Sequence, residues 1–171
     1  MNGFADSAEP IDRAPVRLSS WLSITAGFTC VVFAGQSSAY GLAGGTLGVV
    51  LLSGGLFARS ARLATIGAAI LVLASLLAGV DGATVGTVLV SATAGVLAWD
   101  FATTAIDLGA HVGRETDTRD VELLHASASA VAGVATVSFG YVVYLAVSGT
   151  QPTAALVFLL CAAIAMTIAL R

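Results

Sequence analysis

Four residues past the middle of the chain have the types and spacing of metal ligands. Asp107-x-x-x-His111 sets a carboxylate and an imidazole one turn apart on a helix face, and Glu122-x-x-His125 does so at i,i+3. The second spacing is the one used in carboxylate-bridged metal bundles. Oxygen and nitrogen ligands of this kind suit Zn, Mn or Fe. A plainer reading makes the same residues a solvated helix face followed by a helix start. Asp117, Thr118 or Asp120 would cap that helix, and Asp120 and Glu122 would favour its positive dipole end. A third reading uses the charges in between. Arg114, Glu115, Asp117, Arg119 and Asp120 offer charge complementarity to a cytoplasmic protein partner. No Ser–His–acid set, P-loop or Cys-x-x-Cys is present, so no catalytic residue is assigned and no cofactor beyond a divalent metal is implied.

The elements that must hold these residues are helices. At 100° per residue, Asp100, Thr103, Thr104, Asp107, His111 and Arg114 fall on one stripe, while Phe101, Ala105, Ile106, Leu108 and Val112 cover the rest. This pattern predicts an amphipathic helix that continues past Asp100, with Gly109 and Gly113 free to bend or end it.

The surrounding chain is too apolar for water. Of 171 residues, 57% are hydrophobic and 10% charged, and the mean hydropathy is +0.96. A soluble domain carries about 25% charged residues. A soluble enzyme, a disordered chain and a coiled coil are therefore excluded, and the expected fold class is an all-α integral membrane bundle. Charge-free runs cover 18–58, 63–80, 82–99 and 123–170, the last interrupted only by His125. A crossing takes about 20 residues. The long runs divide at Gln36-Ser37-Ser38 and at Ser148-Gly149-Thr150-Gln151-Pro152, both with turn chemistry. Six spans are expected: 18–36, 39–58, 62–80, 83–101, 123–147 and 153–170, with a cytoplasmic segment at 103–122. A barrel would need polar–apolar alternation, which these runs lack. Residues 1–17 read as a polar, poorly ordered cytoplasmic tail, and the first span reads as retained.

Six spans place all seven basic residues, every one an arginine, on one side. Arg excess marks the cytoplasm, so both termini are expected there, in a multi-pass protein of the cell membrane. Trp21 and Trp99 then fall at inner span ends, and Tyr40, Tyr141 and Tyr144 near outer ones. Ten acids and no lysine suit a high-salt host, and the lack of a basic stripe speaks against nucleic acid. Cys30 and Cys161 lie in apolar runs and read as small packing residues. Gly41, Gly45 and Gly48, with Ser129 and Gly133, form small-residue faces suited to close helix packing within the chain, or alternatively to a homodimer seam. No ionisable group lies mid-span, which argues against a pump. A hydroxyl-lined passage for a neutral solute past Thr87, Ser91, Thr93, Ser127 and Thr136 stays open.

The segment from Trp99 to Gly133 resembles a family of small haloarchaeal multi-span membrane proteins of unassigned function, often encoded beside MoxR-type AAA ATPases. The resemblance rests on Trp99-Asp100, Asp107-Leu108-Gly109, Gly113-Arg114-Glu115-Thr116, Arg119, Glu122 and His125. It implies an accessory subunit of an ATPase-linked assembly and brings no catalytic residues. The expected function is thus a non-enzymatic scaffold or accessory subunit that docks a cytoplasmic partner through 103–122. A small-solute channel or transporter, and a membrane metalloenzyme built on Asp107, His111, Glu122 and His125, are the alternatives.

Overall fold

The computed structural model describes residues 14–112 and 119–147. Among them there is no strand, and five helices follow in order: α1 (Arg17–Gly35), α2 (Ala39–Phe57), α3 (Ala61–Val80), α4 (Val85–Val112) and α5 (Arg119–Val147). Each is long and apolar enough to cross a membrane. The first three keep the expected spans to within a residue or two. The sixth expected span, 153–170, lies outside the described residues.

Two compact units divide the chain, one through Val137 and one from Ser138 on. In the second, the described part is the C-terminal end of α5, where the rings of Tyr141 and Tyr144 lie 6.3 Å apart. All that follows concerns the first.

Short polar residues start the helices. Ser38 Oγ accepts from the Gly41 N–H at 2.9 Å and caps α2. Ser60 Oγ accepts from Leu63 N–H and caps α3. Thr84 Oγ1 accepts from Thr87 N–H in front of α4. Such caps satisfy backbone donors that have no partner inside the helix. Ser38 also donates to the Asp81 carboxylate, which joins the α1–α2 turn to the α3–α4 turn.

The two tight turns that follow α2 and α3 share one hydrogen-bond pattern and differ in one residue. After α3, Gly82 N–H donates to Gly79 O at 3.2 Å and Ala83 N–H to Ala78 O at 2.9 Å. After α2, Arg59 N–H donates to Leu56 O at 3.3 Å and Ser60 N–H to Gly55 O at 2.8 Å. Both are Schellman endings, whose pivot residue is left-handed. Gly82 adopts φ +98° as such a pivot normally does, whereas Arg59 adopts φ +54° and is the only non-glycine with positive φ among the described residues.

The interior is built from small side chains. Ala64, Ala68, Ala98, Ala102 and Ala105 join Cys30, Leu52 and Leu71 in the core. Many large apolar residues nevertheless point outward, with Phe57 87% and Val80 83% exposed. A soluble monomer does not display apolar surface on this scale. In lipid the arrangement is natural, because helices there are held by close backbone approach rather than by withdrawal from solvent. Gly41 and Gly45 meet α1 at Ala34 and Val31, and Gly48 meets α3 at Leu71 and Gly67. Gly133 meets Leu97 and Thr93 of α4.

Two expectations need correction. α4 runs on through Gly109, which does not end it. Its missing side chain instead makes room for the backbone of Ala14 and Pro15, which a Cβ there would strike. The last residues of the expected loose tail are accordingly packed: Ala14 and Val16 are buried, and Val16 N–H donates to Ala105 O at 3.1 Å.

Candidate functional site

The polar stripe of α4 meets α5 towards the end of the bundle that carries Arg17, Arg59 and Arg119. Asp100 lies inside α4 rather than at its end. Its Oδ2 accepts from Ser129 Oγ at 2.6 Å and sits 3.0 Å from His125 Nε2. Thr104 Oγ1 is 3.0 Å from the same nitrogen. With the Asp100 side chain as a carboxylate, which can only accept, the hydrogen belongs on Nε2. The imidazole also meets Phe101 edge-on, with centroids 6.4 Å apart. His125 and Asp100 are 37% and 32% exposed, so the pair lies at the bundle surface.

The second part of the set is buried. Glu122 is 4% exposed, and its Oε2 accepts both the backbone N–H of Ser19 at 2.8 Å and the Ser19 hydroxyl at 2.9 Å. The cause lies in the start of α1. Its N-cap residue is Val16, whose side chain offers no acceptor. The first-turn donors of α1 must find a partner elsewhere, and Glu122 reaches over from α5 to supply one. The carboxylate also sits at the positive end of the α1 dipole. One turn further along, Ser23 Oγ donates to Ala98 O at 2.6 Å and ties α1 to α4.

This geometry separates the four residues that the sequence suggests as metal ligands. Asp107 and His111 are exposed, and His111 Nδ1 is 2.8 Å from the Asp107 backbone carbonyl rather than from its carboxylate. Glu122 faces Ser19, and His125 faces Asp100. Among the described residues, no three His, Cys, Asp or Glu side chains gather as a metal would require. The i,i+4 and i,i+3 spacings describe single helix faces, whereas the interhelix contacts turn Glu122 and His125 towards different helices.

Nor is the pair wired as a proton relay. A general base needs one ring nitrogen towards the nucleophile and the other towards the orienting acid. Here hydroxyl and carboxylate both approach Nε2. The arrangement can hold helices together and is ill-suited to activating Thr104.

Of the residues expected to dock a partner, Arg119 and Asp120 are exposed in the first turn of α5. Arg114, Glu115 and Asp117 lie outside the described residues. Glu122 is in that turn too, but its carboxylate serves α1 rather than the start of its own helix. Ser19 and the bonds of Asp100, Thr104 and Ser129 across helices go beyond the sequence reading. The signal for Ser19 was present in Val16, a helix start with no side-chain cap.

A bundle of span-length apolar helices, with glycines at its close helix contacts and many large apolar side chains exposed, has the build of a helical membrane protein. The chain belongs to DUF7519, a family of unknown function, whose model matches residues 13–167. No curated protein and no solved structure matches it.

Proposed function

We infer that the protein is a non-enzymatic scaffold or accessory subunit of the cell membrane, with six spans, both termini in the cytoplasm, and segment 103–122 as its docking surface. One observation carries this reading. The inward polar residues of the arginine end hydrogen-bond across helices, and Asp107, His111, Arg119 and Asp120 are exposed at the same end. Charge at that edge serves recognition better than chemistry. The partition of arginines supports the cytoplasmic assignment. The resemblance supports a haloarchaeal host and a MoxR-type ATPase as the partner class.

Purification from native membranes tests this directly. Such an ATPase is expected to accompany the wild-type chain and to be lost from Arg114→Glu with Arg119→Glu, whose thermal stability should stay within about 0.5 kcal/mol of wild type. Retention in the double variant, or absence of the ATPase at every salt concentration, contradicts the reading. Metal analysis of the same sample addresses the competing class: stoichiometric metal lost in His125→Ala would support the metalloenzyme instead.

A further inference from the structure

At the arginine end, α1 and the C-terminal end of α2 enclose a cleft of about 390 Å³. Trp21, Ile24, Leu56 and Phe57 form much of its apolar lining, and Arg17 and Arg59 line it as well. That volume falls in the range of about 300–1,000 Å³ typical of small-ligand sites. An apolar slot with two guanidinium groups, between helices of membrane-spanning length, matches one kind of molecule in both halves. A lipid hydrocarbon chain fits the slot, and a phosphate suits the two guanidinium groups.

The backbone gives a second, independent observation. Arg59 occupies the left-handed pivot of a Schellman ending, where glycine is the usual residue and where the same chain uses Gly82 after α3. A side chain bearing a Cβ is strained in this conformation, and such strain persists where the side chain has a task. Arg59 lines the cleft together with Arg17. Arg62 belongs to the same end of the bundle and does not line the cleft.

We propose that the cleft between α1 and α2 binds an anionic phospholipid of the surrounding bilayer, with its phosphate at Arg17 and Arg59 and a hydrocarbon chain along Trp21, Ile24 and Phe57. The site is independent of which side of the membrane the arginines face and of the docking partner.

The full chain in nanodiscs provides the test, with phosphatidylcholine alone compared with phosphatidylcholine containing phosphatidylglycerol. The melting temperature of wild type is expected to rise by about 5 °C with the anionic lipid. Arg59→Gly should melt higher than wild type in phosphatidylcholine, because its strain is relieved, yet lose at least half of the lipid-dependent rise. Arg17→Gln should lose a similar share, and Arg62→Gln should keep the full rise. Glycerol phosphate, which offers the headgroup without chains, should leave the melting temperature unchanged. The proposal is overturned if Arg59→Gly keeps the full rise, if Arg62→Gln loses as much as Arg59→Gly, or if glycerol phosphate reproduces the effect. The opposite signs of the two Arg59→Gly effects separate a lost site from a damaged fold.

Discussion

Glu122→Ala is expected to destabilise the protein by about 3 kcal/mol, the cost of leaving two buried donors of Ser19 without their charged acceptor. For a chain of this length that corresponds to a fall of about 6–12 °C in melting temperature. The loss should be local before it is global. Hydrogen exchange at Ser19 and its neighbours in the first turn of α1 should accelerate strongly, with α2 and α3 little changed. Glu122→Gln keeps an acceptor in place of the carboxylate and gives up the charge at the α1 dipole, so its cost should be about 1 kcal/mol. Equal effects of the two substitutions would show that packing, rather than capping, sets the role of this residue. A negligible effect of both would remove the capping account altogether.

The second large effect belongs to the α2–α3 contact. A Cβ at Gly67 would strike the backbone nitrogen of Leu52 and lie 2.7 Å from the carbonyl of Gly48. Neither is the movable tip of a side chain, so the helices themselves must part. Gly67→Ala should therefore cost about 3 kcal/mol. Gly54, on the partner helix, is the opposite case. Its added Cβ would meet only Leu63 Cδ2 at 3.7 Å, an ordinary contact. Gly54→Ala should be neutral or stabilise by up to about 1 kcal/mol, because alanine restricts the unfolded backbone and favours helix. Thermal unfolding of both variants in one detergent checks the pair, and a shift of the same sign in both would contradict the packing described here.

These effects mark where the sequence was sufficient. Charge-free runs and turn residues were enough to place α1 to α3, because a bilayer forces the ends of an apolar helix to coincide with polar groups. The stripe from Asp100 to His111 was enough to carry α4 past the expected end of its span. What the sequence left hidden was which face meets which neighbour. Spacing alone grouped Glu122 with His125, since it sees only one helix at a time. The bundle assigns Glu122 to Ser19, 103 residues away, and His125 to Asp100, 25 residues away. Gly109 shows the same limit. Its sequence context allowed a bend, and the approach of Ala14 that it accommodates depends on a segment nearly a hundred residues earlier. The left-handed Arg59 was equally invisible, because arginine is the last residue that turn chemistry would select for that position.

The account rests on the acid–histidine pair being a fastening between α4 and α5. A double-mutant cycle of Asp100→Ala and His125→Ala, read by thermal unfolding of the purified chain with a metal chelator present, tests this most directly. Direct hydrogen bonding predicts a coupling of about 1 kcal/mol or more that is unchanged by the chelator. Strictly additive losses, or a coupling that appears only when a divalent metal is added back, would contradict it.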